Sequence, residues 1–147
     1  MLTMETWRIR EVAELEAVVA AVEEKALPKE TGATVLALRG DLGAGKTTFT
    51  QTLARTLGIT EPVTSPTFVI MKSYELADQA FETLIHIDAY RVASDEELTV
   101  LGFARFLETP RTLIVIEWAE KVAALLPSDT KNLTLAIECD ARVVTLA

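Results

Sequence analysis

The sequence holds a single cysteine, Cys139, so no internal disulfide can form, which fits a reducing compartment. Cys139 lies in an apolar-rich late segment and is expected to be an inert packing residue. The N-terminus has no apolar core of a signal peptide, and no hydrophobic run approaches the length of a membrane span. A soluble, cytoplasmic protein with no membrane association is the expectation. Basic residues are outnumbered, 14 Lys and Arg against 22 Asp and Glu, for a formal charge of −8 and a pI near 4.7. Direct non-specific binding to nucleic acid is therefore not expected, because phosphate contacts need clustered Lys and Arg. Action on nucleic acid through a basic partner stays open. There is no internal repeat, low-complexity tract or linker, so residues 1–147 read as one domain. Half of the residues are hydrophobic, which suits a globular core rather than a disordered chain.

The chain is organised around Gly40-Asp41-Leu42-Gly43-Ala44-Gly45-Lys46-Thr47, which fits the G-x-x-x-x-G-K-[ST] pattern of a phosphate-binding loop. Its flanks are those the chemistry needs. Residues 34–39 form an apolar, β-prone run. Residues 47–57 space Phe49, Leu53 and Leu57 four apart and stop at Gly58, a helix C-terminal signal. A strand that feeds a glycine-rich loop into a helix aims backbone N–H groups at one point, on the positive end of the helix dipole. Lys46 would reach the β- and γ-phosphates, and the Thr47 hydroxyl would bind Mg²⁺. The plain alternative is a glycine-rich turn that happens to carry Lys-Thr.

Around this centre the pattern alternates strands and helices. An edge strand is expected near residues 6–10, then a helix from Glu11 to about Ala26 with Val12, Leu15, Val18, Val19, Val22 and Ala26 inward. Residues 69–74 and 81–88 read as a strand pair joined by a turn at 77–79. Ser94 and Glu97 make a capping box. It opens a helix with Leu98, Leu101 and Phe106 inward, weakened by Gly102. Residues 112–117 read as a buried parallel strand and 118–126 as a helix ended by Pro127. Residues 132–138 and 142–146 read as a closing antiparallel hairpin. The sum is an α/β, three-layer P-loop NTPase-like sandwich with a mixed, mainly parallel sheet and antiparallel edge hairpins. Ligands in such sheets sit at the carboxyl ends of the strands.

Two apolar strands end in an acid, one at Asp88 and the other at Glu117. Either can be the carboxylate that holds Mg²⁺, directly or through water, and the other can orient the attacking water. Period-2 alternation puts His86 on the face of Asp88, within reach of the site, although a lone strand histidine more often has a structural role. The Thr64-Ser65-Pro66-Thr67 loop resembles a nucleotide-sensing switch, with Thr67 as the candidate hydroxyl. Trp118 follows Glu117 and is either a core residue or an exposed stacking group. No Asn-Lys-x-Asp motif for guanine is present, which favours ATP. A P-loop small-molecule kinase is the alternative reading, and the lack of a kinase catalytic-loop signature and of an Arg-rich lid weighs against it.

Five motifs in order, GDLGAGKTTF (40–49), VTSPTF (63–68), HIDAYR (86–91), DEELTVLGF (95–103) and IEW (116–118), resemble the TsaE family, also called YjeE. These are small bacterial P-loop ATPases of the tRNA threonylcarbamoyladenosine pathway. The resemblance spans about residues 33–118. It implies a Mg²⁺-dependent ATPase, weak alone, that acts on a TsaB–TsaD complex through nucleotide-dependent assembly and reset and reaches tRNA only through that complex. It implies nucleotide contacts from Gly40, Asp41, Leu42, Gly43, Ala44, Gly45, Lys46, Thr47, Thr48, Thr67 and Trp118. Catalytic roles fall to Lys46, Asp88 and Glu117, with Thr47, Glu117 and Asp88 as metal ligands. Ser65 and Thr67 match the switch-like loop. Two departures stand out. Ala119 replaces a proline common after the Glu-Trp pair. Asp140-Ala141-Arg142 occupies the place of a Gly-Arg, with Arg142 the candidate nucleotide contact there.

Overall fold

The computed structural model describes residues 4–64 and 69–147. Seven strands, β1 (Glu5–Ile9), β2 (Thr34–Arg39), β3 (Met71–Glu75), β4 (Thr83–Asp88), β5 (Thr112–Glu117), β6 (Lys131–Glu138) and β7 (Ala141–Leu146), form one sheet in the order β1-β7-β6-β2-β5-β4-β3. The four central strands β6, β2, β5 and β4 run parallel, whereas β3, β7 and β1 join antiparallel at the edges. This is the expected mixed sheet.

Helices α1 (Leu15–Lys25) and α2 (Lys46–Thr56) cover one face. Leu15, Val18, Val19 and Val22 of α1 pack there with Phe49 and Leu53 of α2 against Leu36, Leu38, Leu84, Leu113 and Val115. On the other face α3 (Asp95–Val100), α4 (Phe103–Glu108) and a 3-10 segment (Ala119–Leu125) meet Val35, Ala37, Ile85, Ile87, Ile114 and Ile116. The alternating side chains of β2, β4 and β5 thus feed two apolar layers, one on each side.

Local chemistry sets most boundaries. The capping box at the start of α3 is formed, with the Glu97 carboxylate 3.3 Å from the Ser94 N–H. Gly102, with φ +87°, ends that helix and starts α4, so the expected single helix is two short ones. The break turns Leu101 outward to 38% exposure, against the expectation that it faces in, and Phe103 takes the buried place. The N-terminal helix begins as a 3-10 turn (Val12–Glu14), which leaves Val12 outside the core. The helix expected from Trp118 starts one residue later as a 3-10 segment, interrupted at Val122. Cys139 is exposed in the β6–β7 turn with φ +55°, not packed inside, because a two-residue reversal has no buried position.

Candidate phosphate-binding site

The loop from β2 to α2 is placed by one close approach. A Cβ on Gly40 would lie 2.4 Å from the carbonyl oxygen of Leu135 on β6, so only glycine fits there. Gly45, at φ +108°, is the residue before the first turn of α2. The free N–H groups of that turn therefore face the loop's hollow, at the positive end of an eleven-residue helix.

Lys46 is 5% exposed and folds back over its own loop. Its Nζ donates to the carbonyls of Gly40 at 2.5 Å and Asp41 at 3.0 Å, and stands 4.1 Å from the centroid of the Trp118 ring. Burial pushes the Lys46 ammonium below its ordinary value, and the carboxylates of Glu117, Glu120, Asp88 and Asp41 oppose that shift.

The two strand-end acids come together because β4 and β5 are parallel and in register, with Asp88 opposite Glu117. Neighbouring strands lie about 4.8 Å apart, so the two carboxylates share one small volume on the face of α2. Both are buried, at 6% and 2% exposure. Glu117 Oε1 accepts the Thr47 hydroxyl at 2.8 Å, which ties the P-loop helix to the end of β5. Glu117 Oε2 lies 2.5 Å from Nε2 of the fully buried His86. Asp88 Oδ1 accepts the N–H of Tyr90 at 2.9 Å.

A cleft of about 370 Å³ opens here, lined by Leu42, Gly43, Gly45, Lys46, Thr47, Thr48, Asp88, Tyr90, Glu117 and Trp118. Asp41 and Ala44 belong to the same loop, with the Ala44 N–H bonded to the Asp41 carbonyl at 3.0 Å. Trp118 sits at φ +59°, a backbone state uncommon for a large residue, which places its ring beside the Tyr90 ring at a centroid distance of 5.1 Å. Arg142 does not line this cleft. It lines a second cavity of about 230 Å³ on the other flank of the loop, with Ile9, Arg10, Val12, Leu135 and Asp140. Ser65 and Thr67 lie outside the described residues.

Sequence reasoning missed Tyr90 as a cleft wall and, although it named Arg142 and the loop residues Gly43, Ala44, Gly45 and Thr48, it missed the cavity they form with Ile9, Arg10, Val12 and Leu135. The Tyr90 signal was present, since it follows Asp88 within the same motif. The second cavity joins segments more than 100 residues apart, for which no local pattern exists.

The donor set suits a hard cation bound together with phosphates. Among the described residues no group of three or more His, Cys, Asp or Glu side chains is disposed to hold a metal by itself. Mg²⁺ bound beside a nucleotide does not need such a cage, since one hydroxyl, one or two carboxylates, phosphate oxygens and waters fill its octahedron. Thr47, Glu117 and Asp88 fit that description. Among the described residues no helix is long and apolar enough to cross a membrane.

Known proteins resemble this chain over most of its length. A family model described as "Threonylcarbamoyl adenosine biosynthesis protein TsaE" matches residues 9–144. A tRNA threonylcarbamoyladenosine biosynthesis protein TsaE from Treponema pallidum is 41% identical over 77% of this chain and 81% of that protein. The protein of the same description from Bacillus subtilis is 39% identical over 77% of this chain and 71% of its own length. The crystal structure of Bacillus subtilis YdiB superposes with a TM-score of 0.75 at 31% identity, covering 99% of this chain and 86% of that one.

Proposed function

The chain belongs to the TsaE family of threonylcarbamoyl adenosine biosynthesis proteins, and on that premise we propose that it is a cytoplasmic Mg²⁺-dependent ATPase, residues 1–147 acting as one domain, that serves a TsaB–TsaD complex in tRNA modification. The observation that carries this reading is the 2.8 Å bond between the Thr47 hydroxyl and Glu117. It joins the phosphate-binding helix to an acid at the carboxyl end of a central strand, the connection a nucleotide hydrolase requires.

In this reading Lys46 exchanges the carbonyls of Gly40 and Asp41 for the β- and γ-phosphate oxygens of ATP, and the N–H groups at the start of α2 hold the β-phosphate. Mg²⁺ bound there would draw negative charge from the phosphate oxygens and so ease attack on the γ-phosphorus with ADP as the leaving group. Thr47 and one or both of Asp88 and Glu117 would hold it. A threonine hydroxyl can offer its oxygen to a cation and still donate its proton to Glu117, so the observed bond is compatible with the loaded site. The carboxylate less committed to the cation orients the attacking water. Trp118 and Tyr90 shield Lys46 from bulk water, which strengthens its attraction for phosphate. The ribose and base take the second cavity, beside Arg142. The net charge of −8 fits a protein that reaches tRNA through its partners rather than by gripping the phosphate backbone.

The test is phosphate release from Mg·ATP by the purified protein, alone and with a purified TsaB–TsaD pair. Slow release that rises with the pair and is lost in Lys46→Ala is the expected result. Release indifferent to the pair would remove the partner assignment and direct attention to small-molecule phosphate acceptors.

A further inference from the structure

Glu117 is held from two sides, and only one of the two partners belongs to the P-loop. Thr47 donates to Oε1, while His86 meets Oε2 at 2.5 Å from the direction of the core. The parallel register sets His86 opposite Val115, one step inside the Asp88–Glu117 pair and on the same face. The ring is fully buried. Among the described residues Glu117 is the polar group the ring meets.

A carboxylate withdrawn from water stays ionised only where donors replace its hydration. The neighbouring Asp88 makes that demand stricter. A carboxylate oxygen accepts, so the 2.5 Å contact calls for a proton on Nε2 of His86. Nδ1 is a buried atom with no hydrogen-bond partner among the described residues. An unpaired buried nitrogen lowers stability, so packing alone does not account for a histidine here.

We propose that His86 is a positioning residue for Glu117. Its Nε2–H holds the carboxylate in the orientation that meets Thr47 and the divalent cation carried by the nucleotide. This rests on the Mg·ATP reading of the cleft. Thr47 must divide its oxygen and proton between cation and acid, whereas His86 is committed to the acid alone. His86 therefore keeps Glu117 aimed whether or not nucleotide is bound. Hydrogen-bonded carboxylates and their outer partners commonly govern metal affinity in this way.

The chain has one histidine, so ¹⁵N NMR of the imidazole reports on His86 without ambiguity. The Nε2–H tautomer is expected both in the free protein and with Mg·ADP. An Nδ1–H tautomer would overturn the proposal. The second measurement is Mn²⁺ binding to the ADP complex, followed by electron paramagnetic resonance, in His86→Gln and His86→Leu. Glutamine places an amide N–H near the position of Nε2, and leucine has no donor. His86→Leu is expected to bind Mn²⁺ about tenfold more weakly and to lose kcat with KM for ATP retained, while His86→Gln stays within about twofold of the unaltered protein. Metal-free ADP affinity should be the same in all three. Equal Mn²⁺ affinity in His86→Leu and the unaltered protein sinks the proposal, and so does an equal loss in both variants, which would assign the effect to ring shape. If His86→Leu does not fold, a tenfold loss in His86→Gln is the overturning result. No Mn²⁺ uptake with ADP by the unaltered protein would instead defeat the nucleotide–metal reading itself, and this inference with it.

Discussion

The two halves of the sheet are built to different rules. β2, β4 and β5 are covered on both faces and are buried along nearly their whole length. β6, β7 and β1 are covered on one face only, so exposure alternates along them, as in Leu133, Thr134, Leu135 and Ala136. Doubly covered strands read as continuous apolar runs and singly covered ones as alternation. Yet the doubly covered strands are the ones that end in buried acids, Asp88 and Glu117. In the singly covered half the charges, such as Arg8 with Glu138, stay near water. An exposed pair costs little and needs no explanation, whereas a buried carboxylate beside another is costly unless something binds there. The contrast separates charge kept for solubility from charge kept for chemistry.

The largest expected effect comes from Glu117→Gln. Under the proposed function, phosphate release at saturating Mg·ATP should fall about 100- to 1,000-fold, the scale seen when one placed electrostatic group is removed. The thermal midpoint should change little, because losing one of two adjacent buried charges offsets the bond lost when the amide oxygen accepts from only one of Thr47 and His86. Turnover kept with a midpoint several degrees lower would make Glu117 a structural ion and erase the distinction between the two halves.

A matched pair of truncations sharpens the same comparison in the apolar residues. Ile114 of β5 is fully buried among Ile85, Ile87 and Val35 on the α3 side. Val143 of β7 lies on the uncovered face and is half-buried. In urea unfolding, Ile114→Ala should cost about 3 kcal/mol and Val143→Ala about 1 kcal/mol or less. Similar losses would mean that the uncovered face is packed after all, for example against a second molecule.

The doubly covered half was the more legible one. Residues 34–39 and 112–117 have in the structure the bounds expected from the sequence, since a short apolar run between turn signals leaves little choice of register. The capping box at Ser94 and the pairing of both antiparallel hairpins were readable because turn chemistry is local, although the strands expected at 69–74 and 81–88 begin two residues later, at Met71 and Thr83. Trp118 was not. A helix-compatible stretch followed it, but no periodicity reports the left-handed backbone at φ +59° or the tertiary contacts with Lys46 and Tyr90 that go with it. Leu101 was misplaced because Gly102 breaks the helix rather than bending it, and Cys139 because apolar neighbours outweighed the tight turn. The Thr47–Glu117–His86 chain depends on β5 lying between β2 and β4, a strand order that hydrophobic pattern alone leaves open. The acids could be named from sequence, but their partners could not.

The smallest effect lies in the singly covered half. Lys29 donates to Asp129, just before β6, at 2.5 Å, and this bond holds the Asp129 carboxyl below its ordinary value. Both side chains are at least one third exposed, so solvent screens the pair and it is worth about 0.5 kcal/mol. With its folded-state value depressed, Asp129 binds fewer protons in the folded than in the unfolded chain across the window between the two values. Its contribution is therefore complete above the ordinary carboxylate range and is lost as pH falls through the depressed value. Lys29→Ala should lower stability at pH 7 by about 0.5 kcal/mol, and the difference should shrink in 1 M salt and fade as acid protonates the Asp129 carboxyl. A loss as large as that of Ile114→Ala, or one that survives acid and salt, would show that this half leans on its ions as the centre leans on its apolar layers.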